Sequence, residues 1–413
     1  MSELNNIPKH WQVKKLSEIG KSVTGTTPPK NDTTNYGNDI PFVKPPQLFD
    51  SVISNAPEKL STKGSSLARI LPENSVLVTC IGNLGRTAIN KVPVAFNQQI
   101  NAVIPYKEIN GKFLFYQAQS HSFKSQLDEL SSATTVAIVN KGKFETIRIV
   151  LPSLSEQLAI VSKIEELLSD LENGKLQLLT AQQQLKVYRQ SLLKWAFEGK
   201  LTSTSLSEQK DGELPEGWKL VSLKDVCTIK RGKSKHRPRN DSSLFGGKYP
   251  FIQTGDIRNA NGGYIKNYSQ TYSEKGLEQS KLWYKGTLCI TIAANIGETA
   301  ILGIDACFPD SVVGLVCNEK LLLNKYTNYF FISHKSKLEE LAPATAQKNI
   351  NVDILEKVRI PLPSLSEQQI IIDELESKLT VCDKIEETIS QSLFQADTLK
   401  QSILKKAFEG KLV

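Results

Sequence analysis

The chain has 413 residues, of which 39% are hydrophobic and 23% charged, and its formal net charge is +8. This composition is typical of a globular protein with about two to three domains, and it excludes disordered and fibrous chains. No apolar run approaches the roughly 18 residues that a membrane helix needs, and the opening segment MSELNNIPKHWQVKK lacks the apolar core of a signal peptide. We therefore expect a soluble, cytoplasmic protein that does not contact a membrane.

The cysteines and histidines are scattered singly. Zinc sites and disulfide frameworks need ligands clustered at short spacing, and none of the six cysteines forms a C-x-x-C pair. We expect buried free thiols and no metal site.

The sequence is written twice. Leu151–Gln157, LPSLSEQ, returns as Leu362–Gln368, and Ala196–Leu201, AFEGKL, returns as Ala407–Leu412; both pairs are separated by 211 residues. Two such matches at one spacing indicate an internal duplication. Looser matches at offsets of 207 to 212 relate the segments between them. Each copy is therefore a divergent block followed by a nearly identical tail.

The divergent blocks have a mixed pattern. Short β-rich runs bounded by turn residues predict strands in each block, and apolar stretches between them predict helices. Each block is therefore predicted to be a mixed α/β domain with a substantial sheet. The predicted strands are 75–81, 147–150, 287–292 and 358–360, and the predicted helical segments begin at Phe113 and cover 326–341.

Each tail predicts one long helix, because apolar residues recur every seven positions. A serine after proline marks each start and a glycine each end, and about 44 residues at 1.5 Å rise make a rod of roughly 65 Å. A seam along the whole rod favours pairing of the two helices over docking of each helix on its own domain. The predicted seam residues are Ile164, Leu171, Leu178, Leu185 and Leu192 in the first helix, and Leu375, Cys382, Ile389, Ala396 and Ile403 in the second.

These elements predict an α+β protein of duplicated organisation. The predicted parts are a first domain at 1–150, a first helix at 151–201, a linker at 202–213, a second domain at 214–361 and a second helix at 362–413.

The positive charge lies on the divergent blocks. Residues 1–150 carry +6 and residues 211–361 carry +5, whereas residues 151–200 are neutral and residues 362–413 carry −3. This distribution indicates two domains that each contact a polyanion, while the helices have another role.

One loop concentrates this charge. Residues 230–239, KRGKSKHRPR, hold six Lys or Arg and no acid. A solvated loop is the plainer interpretation, and phosphate contact is the one we favour. The matching loop of the first copy, 21–30, is less basic and rich in hydroxyls. If both blocks bind nucleic acid, they should therefore bind different sequences.

Base readout depends on a few side chains that the fold holds at the groove, so spacing alone does not identify the bases. We expect polar and basic loop residues to make the contacts. The predicted DNA-binding residues are Lys21, Thr24, Lys30, Lys44, Gln47 and Arg86 in copy one, and Lys230, Arg231, Lys233, Lys235, Arg237, Arg239, Gln253, Arg258 and Lys348 in copy two.

The sequence shows no motif for catalysis. It has no G-x-x-x-x-G-K-[ST] loop, no G-x-G-x-x-G after a strand and no Asn/Asp-Pro-Pro-aromatic run, and its carboxylates concentrate on the helices. We therefore expect no catalytic residue and no cofactor. Two alternatives stay open, namely a coiled-coil scaffold without DNA specificity and an enzyme with an unrecognised site.

The two LPSLSEQ-like starts, each followed by a heptad helix that ends in AFEGKL, resemble the specificity subunit of Type I restriction–modification systems. The resemblance covers essentially the whole chain. Copy one departs from it at 134–139, where TTVAIV stands in place of TAQKNI. The further matching segments are Pro8–Trp11, Pro215–Trp218, Pro41–Phe42, Pro250–Phe251, the two I-G-x-x-G-x-T-A-like turns and Thr345–Ile350.

The resemblance implies a DNA-recognition subunit without catalysis of its own. Each block would be a target recognition domain that reads one half of a bipartite, asymmetric site. The helices would pair as an antiparallel coiled coil with pseudo-twofold symmetry, act as spacers and dock two modification subunits, which restriction subunits would join. S-adenosylmethionine would bind to the modification subunits.

Overall fold

The computed structural model describes residues 7–49, 51–132, 136–202, 214–236, 238–293, 295–341 and 350–413. The chain divides into two compact units. Unit one comprises Met1–Leu179 and Ser390–Val413, and unit two comprises Thr180–Ile389. The division falls inside both long helices, so each unit holds one globular block and a segment of each helix. The predicted domain limits stay predictions, and most of the predicted linker, 203–213, lies outside the described residues.

Unit one combines short strands with short helices. Its strands β1 to β11 are Gln12–Lys15, Gly20–Thr24, Tyr36–Val43, Ser51–Ile53, Lys59–Leu60, Ile70–Leu71, Val76–Thr79, Thr87–Asn90, Val94–Phe96, Ile100–Pro105 and Arg148–Leu151. Its helices α1 to α5 are Leu16–Ile19, Thr62–Leu67, Gly111–Ala118, His121–Leu130 and Lys141–Phe144, followed by the first long helix, α6, at Leu154–Phe197. The principal sheet has the order β2–β10–β7–β8–β4, beside a sheet β5–β3–β9–β6 and the pair β1–β11.

Unit two repeats this organisation. Its strands β12 to β20 are Lys219–Ser222, Cys227–Arg231, Phe245–Phe251, Tyr264–Ile265, Gln270–Tyr272, Leu288–Thr291, Thr299–Leu302, Val312–Cys317 and Arg359–Leu362. Its helices α7 to α12 are Leu223–Val226, Thr254–Ala260, Glu274–Glu278, Asn324–Ser333, Lys335–Leu341 and Val352–Lys357, followed by the second long helix, α13, at Leu365–Phe408. The principal sheet has the order β13–β19–β17–β18–β15, beside the pairs β14–β16 and β12–β20.

The central strands are buried on both faces, which explains their uninterrupted apolar runs. In β7, Val76 and Val78 pack into a cluster with the helix residues Leu114 and Phe123. The intervening Leu77 faces a separate cluster that includes Phe96 of the second sheet. The mixed α/β prediction is confirmed in both units, as is the duplication. The predicted helical segment 326–341 is helical but not continuous. It forms two helices that are separated at His334. The His334 ring stacks on that of Phe330.

The LPSLSEQ motif begins each long helix through a buried glutamine. The Gln157 side chain donates to the carbonyl of Pro152, at 3.1 Å, and accepts from the backbone N–H of Asn110, at 2.8 Å. Gln368 makes the same two bonds, to Pro363 at 3.1 Å and from Leu323 at 2.9 Å. Because a buried amide without partners is costly, this glutamine fixes the helix start against the preceding block.

The AFEGKL motif ends each long helix. Gly199 and Gly410 have φ of 73° and 70°, the left-handed conformation that favours glycine at a helix terminus. Each glycine also lies against a proline, since an added Cβ would lie 2.1 Å from Pro215 Cγ in unit two and 2.3 Å from Pro8 Cγ in unit one. Within unit one, the end of the second long helix therefore contacts the beginning of the first block.

The predicted seam residues differ in burial along the two helices. In the first helix Ile164, Leu185 and Leu192 are buried, whereas Leu171 and Leu178 are half-buried. All of the predicted positions in the second helix are buried, namely Leu375, Cys382, Ile389, Ala396 and Ile403.

Ion pairs accompany the seam in both units. In unit one, Lys175 Nζ lies 2.8 Å from Asp397 Oδ1, while Ile164 packs near Leu404, so the helix segments run antiparallel. In unit two, Arg189 contacts both Asp383, at 2.6 Å, and Glu386, at 3.0 Å. The carboxylates of these pairs are exposed and the two cations are half-buried, so each pair contributes little to stability.

Candidate nucleic-acid interface

The first predicted contact residues lie on the strand at one end of each principal sheet. Lys21 is exposed on β2, and Thr24 is half-buried there and donates to Asn101 Oδ1 at 2.7 Å. Lys230 and Arg231 are exposed at the end of β13. An edge strand leaves such side chains accessible to a large ligand.

A glycine follows each of these strands at a close approach of backbone. A Cβ on Gly25 would lie 2.2 Å from the carbonyl oxygen of Asn97, and one on Gly232 would lie 2.3 Å from that of Pro309. Only glycine fits at such distances. The two recognition loops, 26–31 and 233–240, therefore begin from the same backbone arrangement.

An aspartate ends each recognition loop. Asp32 accepts from the backbone N–H of Thr34 at 3.0 Å, and Asp241 accepts from that of Ser243 at 2.9 Å. Hydrogen bonds hold the pKa of both carboxyls at about 2, chiefly that from Lys63 to Asp32 and that from the Ser243 hydroxyl to Asp241. Each loop thus runs from a tightly packed glycine to a hydrogen-bonded aspartate, and these two ends are equivalent in the two units.

The loop of unit two is strongly cationic. Lys233 and Lys235 are exposed and, within the described parts of the chain, form no ion pair. Burial lowers the pKa of Lys281, and the positive charges of Lys230 and Lys233 lower it further. Lys281 Nζ also lies 3.9 Å from the centre of the Trp283 ring. Lys230, Lys233 and Lys281 thus form one cluster. The sequence predicted Lys230 and Lys233 as contact residues, but not Lys281.

Both described arginines of the basic run have an intramolecular partner. The Arg239 guanidinium lies 2.8 Å from Asp310 Oδ2, and Arg231 Nε donates to the backbone carbonyl of Asp310. In unit one the corresponding contact is neutral, because the Thr27 hydroxyl donates to Gln98 Oε1. Arg231 and Arg239 hence shape the loop as well as carrying its charge.

Lys44 and Gln47 lie at the second predicted position of unit one. Lys44 forms an ion pair with Glu58, and its backbone N–H donates to Gln47 Oε1 at 2.8 Å. The Lys44 charge is therefore balanced locally, and the Gln47 amide N–H groups are the ones left for a ligand.

Gln253 and Arg258 occupy the equivalent region of unit two. The Gln253 backbone N–H donates to Asp256 Oδ2 at 2.8 Å, repeating the turn at Lys44, and its amide donates to Gln270 Oε1 at 2.6 Å. Arg258 is exposed in the last turn of α8 and has no ion pair in the described part of the chain. Arg258 is therefore more available to a ligand than Lys44, which is paired with Glu58.

Sequence reasoning missed Arg69. Its guanidinium donates to the backbone carbonyl of Thr24 at 2.6 Å, and its backbone N–H donates to the Thr26 hydroxyl at 3.0 Å. Arg69 thereby joins the start of the recognition loop of unit one, where Lys30 is exposed. No local pattern in the sequence connects Arg69 to a loop so far from it along the chain.

Three predicted residues remain. The Arg86 guanidinium carbon lies 4.5 Å from the centre of the Phe49 ring. Arg237 and Lys348 lie outside the described residues. For every residue of the predicted set, contact with DNA stays a prediction.

The described residues show little that suggests chemistry on a small molecule. Across these ranges, no group of three or more His, Cys, Asp or Glu could hold a metal ion. All six cysteines are free and buried, as the sequence predicts. In the described part of the chain, no helix is both long and apolar enough to span a membrane. Accessible cations on a backbone frame that both units share are suited to binding a polyanion.

Fold and surface together define a class, a duplicated α+β protein with a cationic loop on each block and paired long helices. The chain matches the Type I restriction modification DNA specificity domain over residues 8–181 and 215–395. Because these matches cover most of its length, the chain belongs to that family.

Similar proteins agree with this assignment. The chain is 25% identical to the Type I restriction enzyme StySPI specificity subunit of Salmonella potsdam and 24% identical to the EcoKI specificity subunit of Escherichia coli K12, in each case over 98% of this chain and 90% of the other. Among solved structures it resembles, at 20% identity, the HsdS subunit of Thermoanaerobacter tengcongensis, with a TM-score of 0.68 and 98% of both chains covered. A chain from a structural study of complex assembly and conformational transition of the type I R-M system matches with a TM-score of 0.74, at 20% identity, over 98% of this chain and 99% of that one.

Proposed function

We propose that this chain is the sequence-specific DNA-binding subunit of a Type I restriction–modification complex. Each globular block reads one half of a bipartite, asymmetric site. One observation carries the proposal: the loops after β2 and β13 start and end at equivalent fixed points but present different side chains. Such a pair of loops is suited to reading two different sequences with one fold.

The charge distribution supports duplex DNA as the ligand. Lys230, Lys233 and Lys281 form a cluster in unit two, and Lys21 and Lys30 are exposed in unit one. Cations that neutralise phosphates supply most of the affinity of such proteins, while side chains at the base edges supply specificity. The excess of positive charge on both blocks matches this division of roles.

The long helices are the proposed docking surface for two modification subunits. They pair through a buried seam but also expose large apolar side chains, including Leu176, Val187, Val381 and Phe394. Exposed apolar side chains indicate a protein interface where they form a contiguous patch. The helices would also act as spacers between the half-sites.

The reaction itself is assigned to the partners. S-adenosylmethionine would bind to the modification subunits, which would transfer the methyl group, and restriction subunits would cleave DNA in the complete complex. This chain would select the site and perform no catalysis.

The experiment is methylome sequencing of a host that expresses this chain with its modification subunits. We expect one bipartite, asymmetric methylated motif. Neutralising the basic loop by Lys233→Gln with Lys235→Gln should weaken binding of the assembled complex to a duplex that carries the motif. The control is Lys224→Gln with Lys357→Gln, which removes the same charge from exposed positions on α7 and α12.

Two outcomes would contradict the proposal. Equal effects of the two double variants would show that net charge, and not this loop, matters. Methylation or cleavage by the chain alone would show that it is an enzyme.

A further inference from the structure

The turn between the third and fourth strands of each principal sheet has the same skeleton in both units. In unit one it joins β7 to β8, and in unit two β17 to β18. The Thr79 hydroxyl accepts from the backbone N–H of Arg86 at 3.0 Å, and the Thr291 hydroxyl accepts from that of Glu298 at 3.1 Å. The glycines that precede these residues have φ of 76° and 78°. The residue after the glycine is therefore held in the same way twice.

The charges at this turn are opposite. In unit two Glu298 forms an ion pair with Lys335, at 2.6 Å. In unit one Arg86 takes the place of the glutamate, and Lys124 takes the place of the lysine. The equivalence of the lysines is geometric, because a Cβ on the glycine of the turn would lie 3.3 Å from Lys124 Cγ in unit one and 3.1 Å from Lys335 Cγ in unit two. Unit one thus has two cations where unit two has a neutral pair.

The two unit-one cations differ from the unit-two pair in having no acidic partner among the described residues. Within the described ranges, neither Arg86 nor Lys124 takes part in an ion pair. The Arg86 guanidinium instead lies over the ring of Phe49, 4.5 Å from its centre, and this ring is 63% exposed. An arginine stacked on an aromatic ring keeps its N–H groups free in the plane of the guanidinium. Those donors match the geometry of a phosphate group.

We propose that Arg86 and Lys124, with Phe49 as the positioning residue, bind a DNA backbone phosphate in unit one, and that unit two lacks this contact. The proposal rests on the DNA-binding function proposed above. It adds a phosphate site and a physical difference between the blocks, since the Glu298–Lys335 pair in unit two is already neutral and gains little from an anion. An unbalanced cation gains more from a nearby phosphate than a neutral ion pair does.

The test is the salt dependence of duplex binding by the full-length chain assembled with its modification subunits. Losing one phosphate contact should reduce the slope of log K against log salt by about 0.9. We expect this reduction for Arg86→Gln and for Lys124→Gln, on specific and non-specific duplexes alike. The matched double variant Glu298→Gln with Lys335→Gln in unit two, which removes a pair without net charge, should leave the slope unchanged. Arg86→Lys, which keeps the charge, should retain most of the slope.

Variants of Phe49 test separately whether its ring positions the Arg86 guanidinium. Phe49→Leu should weaken binding several-fold without removing a charge, and Phe49→Tyr, which retains the ring, should restore it. A purely structural role for the ring would instead lower the thermal stability of the chain along with its affinity.

Three results distinguish the possible failures. An unchanged slope in Arg86→Gln and Lys124→Gln would overturn the phosphate site. Reduced assembly with the modification subunits, at an unchanged slope for the complexes that form, would show that the cations meet a protein and would also overturn it. If the wild-type complex does not prefer its methylated motif over a scrambled duplex, the proposed function fails and not this site alone.

Discussion

The two globular blocks agree at closely packed backbone positions and differ at several side chains that reach solvent. Gly25 and Gly232 are the same residue because a Cβ would collide with a carbonyl oxygen in either block. Gln98 and Asp310, at equivalent loop contacts, differ in charge. A duplicated chain thus separates the residues that its fold requires from those that its ligand selects.

The difference also shows how each loop is held. One pair of equivalent loop contacts differs in charge, because unit one has the neutral bond from Thr27 to Gln98 where unit two has the Arg239–Asp310 ion pair. Screening by salt weakens an exposed ion pair more than a neutral hydrogen bond. We therefore expect salt to weaken the Arg239–Asp310 contact more than the Thr27–Gln98 contact.

The largest expected effect is an exchange of half the recognised sequence. Replacing residues 214–361 with the second block of another family member should change one half of the methylated motif and leave the other half intact, because each block has its own core. Methylome sequencing of the hybrid is the measurement. A change in both halves would show that the blocks do not read independently.

The next effect concerns the shared skeleton. Gly25→Ala and Gly232→Ala should each destabilise their own block by about 1–3 kcal/mol, the usual cost of overpacking. Matched controls are Gly142→Ala in α5 and Gly255→Ala in α8, where a Cβ meets nothing closer than 3.6 Å. Amide hydrogen exchange measures the loss of stability in each block separately. Unequal losses would mean that the loops do not begin from equivalent arrangements.

A smaller effect concerns the aspartates that end the loops. Asp32 and Asp241 should titrate near pH 2, below the ordinary value of 3.8, as measured by carboxyl NMR. A carboxyl with a lowered pKa stabilises the fold above its unfolded value and loses this contribution as the pH falls from about 4 towards 2. Lys63→Met should raise the pKa of Asp32 and leave that of Asp241 unchanged. If Lys63→Met changed the pKa of Asp241 more than that of Asp32, Lys63 would not be the partner of Asp32.

The smallest expected effect is that of a circular permutation. Gly410 meets Pro8 as Gly199 meets Pro215, so the two junctions are equivalent. A permutant that is opened in the linker 202–213, with the original ends joined by a generous linker, should keep its fold and its methylated motif. Circular dichroism and methylome sequencing check this, and a misfolded permutant would show that the junctions differ.

Much of the fold could be predicted because its signals are local. The seven-residue spacing from Ile164 to Leu192 and the caps at Gln157 and Gly199 lie within one helix, and the structure has that helix at Leu154–Phe197. The strand runs are equally local, and β7 and β17 fall inside their predicted ranges.

The surface could be predicted only in part. The basic run at 230–239 is visible in the sequence, but Lys281, Arg69 and Lys124 reach these surfaces from distant segments. The balancing of Lys44 by Glu58 and of Arg239 by Asp310 likewise depends on the fold. Charge in a sequence gives the sign of a surface, whereas tertiary contacts decide which cations are free.

The cluster that joins Trp11 and Val150 to Leu404 and Phe408 has a consequence for the order of events during synthesis. Domains usually fold in the order in which the ribosome delivers them. Unit two is a continuous stretch of chain, but unit one cannot complete its core until residues 390–413 have been translated. The second unit can thus mature before the first, and a nascent chain that stalls short of Leu404 carries an open apolar face on the part that was made earliest.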